Sequence, residues 1–343
     1  MHEVEGYRLE RWGTAPVWKS FPIEEPGPGE VLVEVEACGV GATVLNCMSG
    51  QLADAPELLP LTPGHEVVGR IAEVGEGVTS HAAGDRVMAY FYLSCFRCRA
   101  CLAGRESRCE RLAGWYGVHR DGGYAPLSLL PAGNAVPLMH DIPAAQATVI
   151  PDAVATPVHV CRSQLGLGPG QRVAVIGAGG GVGVHMLQVA AACGARVAGL
   201  ERTDDKLALV EELGALAVDS RDFRTALEAL EGEADAVIDL VGTRDSLSWG
   251  LAHLSMGGRL CVLTTFPEVS FQVHPRALVF KESVIVGSRY ASRAELIEAA
   301  RMVADGVVKP VVGAAVSPED VAWLHRELRT GTLRGRGALM WRS

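Results

Sequence analysis

Apolar and polar positions alternate along residues 31–40 (VLVEVEACGV), the pattern of a strand with one face in a core. Residues 67–75 (VVGRIAEVG) predict a second short strand that ends in glycine turns, and residues 84–89 (GDRVMA) begin a third. Short strands punctuated by Gly and Pro continue to about residue 150, so this half of the chain reads as β-rich. The pattern changes near residue 165. Residues 172–176 (RVAVI) form a continuous apolar run, as in a strand buried on both faces. A glycine cluster follows at 177–183, then a small-residue helix at 184–193, a strand at 196–200 and a helix at 205–213. Two more strands are predicted at 234–240 and 259–264. Strand and helix alternate here, which predicts a parallel sheet with right-handed crossovers. Beyond residue 290 one helix (294–304) and a final stretch are too short for a domain, and are expected to pack back on the first half. The expected domains are therefore 1–153, 154–290 and a C-terminal return over 291–343.

Composition narrows the class. The 343 residues are 48% hydrophobic and 21% charged, with a net charge of -9, which suits a folded α/β enzyme and gives no basic footprint for nucleic acid or an anionic membrane. No uncharged apolar stretch reaches the length of a membrane helix, and the start lacks the basic-then-apolar layout of a signal peptide, so a cytoplasmic protein is expected. Four of the nine cysteines fall in one segment, Cys95, Cys98, Cys101 and Cys109, spaced C-x2-C-x2-C-x7-C. Four thiolates at this spacing can close a tetrahedral zinc shell, and metal binding in a reducing compartment explains them better than disulfides do.

The glycine cluster sits between a buried strand and a helix, the setting of a phosphate-cradling turn. Gly177, Gly179, Gly180, Gly181 and Val182 are the candidate pyrophosphate contacts. Glu201 ends the next strand, 24 residues after Gly177, where a carboxylate accepts hydrogen bonds from an adenosine ribose and repels a 2′-phosphate. NAD(H) is favoured on that ground; the neighbouring Arg202 argues for NADP(H).

Together these features resemble the zinc-containing alcohol dehydrogenases of the medium-chain dehydrogenase/reductase superfamily. The features are the β-rich half with Pro63, Gly64, His65 and Glu66, the four-cysteine lobe over 95–109, Gly122, Gly123, Tyr124 and Ala125, and the glycine turn. The resemblance spans essentially the whole chain. It implies an α/β protein with a GroES-like catalytic domain and a Rossmann domain, working as a homodimer or homotetramer on a small-molecule substrate. The lobe resembles the family's structural zinc site. His65, Glu66 and Asp152 match members of its catalytic zinc site, and Thr43 keeps the hydroxyl that relays the alcohol proton. Gly41, however, stands where a ligand cysteine belongs, and Val44 replaces an aspartate. Two readings of this site stay open: a metal site of His65, Glu66 and Asp152, or a satisfied buried pair of His65 and Asp152 with no metal. Cys47, one helical turn after Thr43, is a candidate replacement ligand. The resemblance also puts Phe91, Tyr92, Trp115 and Tyr116 in the substrate pocket, Val241, Thr264 and Arg289 near the nicotinamide half, Lys206 beside the adenosine and Arg336 on the pyrophosphate.

The implied function is NAD(H)-dependent hydride transfer to or from an alcohol, aldehyde or ketone. The alternatives are a reductase of an activated C=C or C=O bond that uses no catalytic zinc, and a non-catalytic dinucleotide-binding sensor.

Overall fold

The structure, a computed structural model, describes residues 1–342 apart from the side chain of Arg224. The chain divides into two compact units. One comprises Met1–Asp152, Ala291–Ala304 and Val312–Ser343; the other comprises Ala153–Tyr290 and Asp305–Val311.

The first unit is built on a seven-stranded sheet. Its path runs Val312–Val316, Arg336–Met340, Glu30–Val40, Glu66–Val74, Arg86–Ala89 and Ala135–Pro137, and Leu127–Pro131 also pairs with Glu30–Val40. The alternation at 31–40 holds only in part. Val31, Leu32 and Val33 are all buried, and so are the last four residues, because the strand pairs on both edges and carries core on both faces. Val33, Val35, Val67, Ile71, Tyr116 and Tyr124 lie in that core. The antiparallel register sets Gly39 opposite Glu66 and Val40 opposite Gly337. Three segments far apart in sequence thus converge at one end of the sheet, and the candidate site lies there.

The second unit carries six parallel strands in the order Leu216–Asp219, Arg196–Glu201, Arg172–Ile176, Ala234–Asp239, Leu254–Val262 and Val284–Gly287. This is the doubly wound Rossmann order, with its reversal beside Arg172–Ile176. The expected α/β architecture of a β-rich half followed by a Rossmann half is the one observed. Two strands were not legible from periodicity: Leu216–Asp219 and Val284–Gly287 have four residues each. The helix Gly183–Ala192 is buried along most of its length, which its small side chains permit. Residues 305–311 group with this unit because that helix holds them. Gln188 accepts from the Lys309 amide at 2.7 Å and donates to the Lys309 carbonyl at 3.0 Å, and the Val311 amide donates to His185 Nε2 at 3.1 Å. Among the described residues no helix is long and apolar enough to cross a membrane.

Candidate active site and metal centres

The first unit holds two groups of metal-ligating side chains, and they differ in kind. In the lobe, Cys98 and Cys101 Sγ lie 3.4 Å apart, and the Cys95 to Cys101 and Cys98 to Cys109 separations are each 4.0 Å. Zinc bonds of about 2.3 Å set tetrahedral sulfurs roughly 3.8 Å apart. The amides of Cys95 and Arg111 donate to Cys109 Sγ at 3.3 and 3.4 Å. Backbone hydrogen bonds from Cys101 and Glu110 draw the Cys98 thiol down to about 6. The four residues fit a tetrahedral zinc.

The second group begins at Gly64, whose φ of 101° is open to glycine and strained for other residues. It turns the chain into the strand Glu66–Val74, so that His65 and Glu66 both point inward, at 2% and 0% exposure. Asp152 comes from a π-helical turn, Ile150–Val154, an irregularity common at functional sites. His65 Nε2 lies 3.9 Å from Glu66 Oε1 and 3.8 Å from Asp152 Oδ2. One ligand atom from each of the three falls within 4.8 Å of the others, a spacing that by itself would suit a metal.

Arg336 changes that picture. Its Nη2 donates to Glu66 Oε1 and, at 2.5 Å, to Asp152 Oδ2. The guanidinium is 3% exposed and thus sits inside the carboxylate pair. Burial opposes its charge, but Glu66 and Asp152 outweigh burial and raise its pKa above the ordinary arginine value. Burial pushes Glu66 up to about 7, against the pull of Arg336 and His65. With both carboxylates engaged by a permanent cation and no thiolate at residue 41, these residues do not fit a divalent metal. The assignment of Arg336 to the pyrophosphate is corrected here, because its guanidinium is buried within its own unit and bonded there to Glu66 and Asp152.

Cys47 is corrected as well. Its thiol faces the Gly117 carbonyl at 3.3 Å, in an apolar cluster with Leu61 and Val118, and burial raises its pKa to about 12. Such a thiol stays neutral and takes no part in the His65 group. Val44 is likewise a core residue, and Thr43 is half-buried on the helix Ala42–Met48.

The pocket aromatics separate into two sets. Phe91 packs on His65 with ring centroids 4.5 Å apart, and it stacks with Trp115 at 6.4 Å and meets Tyr92 edge-on at 5.4 Å. Tyr116 does not join them. It is fully buried in the sheet core and shares a 2.6 Å hydrogen bond with Ser128, so its place in the pocket is withdrawn. A two-residue aromatic run shows no face from sequence alone, and burial decides between them.

In the second unit, Gly177 takes a φ of 83°, and Val241 lies against it. A Cβ on Gly179 would come within 2.7 Å of the Lys206 side chain, so Lys206 packs over the turn. Glu201 Oε1 accepts from the Gly179 amide at 2.7 Å and Oε2 accepts from the Arg202 amide at 3.1 Å. The carboxylate is thereby fixed at the strand end beside the turn. The Thr264 hydroxyl lies over Gly242, and Arg289 is exposed. Gly180, Gly181 and Val182 are half-buried along the turn. These residues fit a dinucleotide. Sequence reasoning missed Asp239, which accepts from the Val241 and Gly242 amides at 2.8 Å and from the Ser246 hydroxyl at 2.6 Å. It shapes the loop that carries Val241. Thr243 and Ser246, three residues apart as a capping box, were the available signal.

Residues 27–141 match the alcohol dehydrogenase GroES-like domain, and residues 181–305 match the zinc-binding dehydrogenase domain. An acryloyl-coenzyme A reductase of Metallosphaera sedula is 32% identical over 303 residues, 87% of this chain and 89% of that protein. An alcohol dehydrogenase of Geobacillus stearothermophilus is 34% identical, covering 92% of this chain and 94% of its own length. The chain belongs to the medium-chain dehydrogenase/reductase superfamily, among the zinc-type alcohol dehydrogenases. The superfamily's architecture runs the full length: a thermostable alcohol dehydrogenase from Pyrobaculum aerophilum, solved with cobalt and zinc, superimposes with a TM-score of 0.90 at 27% identity, covering 99% of this chain and 100% of that one. This member is an NAD(P)-dependent oxidoreductase.

Proposed function

We propose that the protein uses NAD(H) to interconvert a carbonyl compound and its alcohol, without a catalytic metal. The observation that carries the proposal is the buried group of His65, Glu66, Asp152 and Arg336 set against Phe91. Bound NAD(H) supplies or accepts the hydride. Glu201 receives the adenosine ribose and disfavours a 2′-phosphate, with Arg202 and Lys206 at its margin. The turn at Gly177, Gly179, Gly180, Gly181 and Val182 admits the pyrophosphate. Val241, Thr264 and Arg289 flank the nicotinamide half. Phe91, Tyr92 and Trp115 form the apolar wall for the substrate. His65 Nε2 is buried without a hydrogen-bond partner, and it takes the substrate oxygen together with the Thr43 hydroxyl. Thr43 then passes the proton. The lobe of Cys95, Cys98, Cys101 and Cys109 holds zinc as a fold element.

A second reading, reduction of a C=C bond conjugated to a carbonyl, is favoured by the acryloyl-coenzyme A reductases among the relatives. It needs the same carbonyl contact, with hydride delivered to the β-carbon and a proton from solvent to the α-carbon. The discriminating experiment follows absorbance of the reduced cofactor with ketones and aldehydes, with enoyl thioesters, and with alcohols in the reverse direction. Turnover of ketones or alcohols that is lost in His65→Ala supports the first reading. Turnover of enoyl thioesters alone supports the second, and no turnover with any class in either direction overturns both.

A further inference from the structure

We propose that the Arg336 guanidinium takes the place of the catalytic cation in this chain, and that Gly41 is the residue that admits it. The inference rests on the metal-free reading of the site and not on the substrate, so failure of every turnover assay would leave it standing.

Volume is the first argument. A Cβ built on Gly41 would overlap Arg336 Nη1 and Cζ and lie 3.1 Å from Nε. Any side chain at this position, a cysteine included, therefore expels the guanidinium from its present pose. Gly39, two residues earlier, does the same for Glu66, since a Cβ there would overlap Oε2 and lie 2.8 Å from the Glu66 Cβ. Two glycines on one strand end thus open the space in which carboxylate and guanidinium meet. The backbone register adds to this. Arg336 begins the strand that sets Gly337 opposite Val40, so its side chain enters beside Gly41 from a neighbouring strand.

Charge is the second argument. Arg336 stays protonated at all working pH values, and its Nη2 already bridges the Glu66 and Asp152 oxygens that a metal would need. A divalent ion among these oxygens would lie a few ångströms from a buried like charge in a low-dielectric setting, where repulsion is strongest. A thiolate at residue 41 with a metal, and glycine with the guanidinium, are therefore alternative solutions to the same problem. Both neutralise the buried Glu66 carboxylate and the part-buried Asp152 beside His65. The organic cation holds Glu66 and Asp152 in place and leaves His65 Nε2 without a protein partner. Arg336 is a positioning residue in this scheme: it acts through the groups it fixes.

The test is a cobalt(II) titration of metal-free full-length protein, followed by visible absorption and elemental analysis. Wild type is expected to take up about one cobalt per chain, with the intense thiolate charge-transfer bands of a four-cysteine site. G41C/R336A, which restores the thiolate and removes the guanidinium, is expected to take up about two, the second with a distinct mixed-ligand d–d spectrum that disappears when His65→Ala is added. A merely structural arginine would not trade for a metal in this way. A second, His65-dependent cobalt in wild type would overturn the proposal, and so would a folded G41C/R336A protein that still takes only one. If the double variant fails to fold, the wild-type count decides alone.

Discussion

Two clusters in the same unit bring metal-ligating atoms to similar spacings, yet they differ in charge. The cysteine lobe gathers four sulfurs 3.4 to 4.0 Å apart across the measured pairs, with backbone amides turned to them and no cationic side chain among its four ligands. The His65 group gathers a histidine and two carboxylates just as closely, but Arg336 lies across them. Proximity of donors is therefore not enough to define a metal site. What decides is whether the protein has already balanced the charge of those donors with one of its own.

The sharpest way to break this comparison is to remove one member from each cluster. Cys98→Ser should release the lobe's zinc and unfold the segment around it, because a structural zinc of this kind contributes on the order of 10 kcal/mol to the structure it organises. Thermal melting and elemental analysis check this, and an unchanged melting temperature with full zinc would refute the assignment. Arg336→Met should cost roughly 3–5 kcal/mol, since it strands the buried Glu66 carboxylate beside the part-buried Asp152. Urea unfolding measures it. A loss near zero would mean that the guanidinium does not hold the group together.

A third buried pair in the same unit sharpens the contrast, because it is polar without being ionic. Tyr124 and His325 share a 2.9 Å hydrogen bond with their rings stacked. Burial, helped by Arg329, lowers the His325 pKa to about 4. The unfolded chain, whose histidine titrates near about 6.5, binds this proton first as the pH falls. Stability is thus fully present above about 6.5 and is lost down to about 4, by roughly 3 kcal/mol in total. Glu66, raised by burial, acts in the opposite sense, since the folded state binds its proton more readily between its ordinary value and about 7. Subtracting the pH profile of His325→Phe from that of wild type isolates the histidine; equal slopes for the two proteins would show that His325 is not held neutral.

The smallest effect expected is in the second unit. Glu201→Ala should weaken NAD(H) binding and reduce discrimination against NADP(H) by on the order of tenfold, the scale of one charge-assisted hydrogen bond. Fluorescence titration with both reduced cofactors measures it, and an unchanged ratio would remove Glu201 from the ribose.

Much of this molecule could be read before any coordinates. The apolar run at 172–176, the glycine cluster and the spacing of the four cysteines are local signals, each set by residues within a few positions of one another. Gly257 and Gly258 interrupt the pattern of the strand Leu254–Val262, so periodicity predicts it only from residue 259. The five-residue strand Arg336–Met340 has no clear period, and the pairing of Arg336 with Glu66 joins residues 270 positions apart. No spacing rule reports a contact of that length. Gly41 was visible as a missing ligand, but what fills the space it leaves is a matter of tertiary packing. Tyr116 was misplaced for the same reason, since only the sheet's core shows which way it points.

Zinc content of the protein purified without added metal shows whether the His65 group holds a metal. About one zinc per chain is expected, retained in His65→Ala and lost in Cys98→Ser. About two per chain, with one of them lost in His65→Ala, would contradict it: the metal would then sit where Arg336 is placed here, and the distinction between the two clusters would fall.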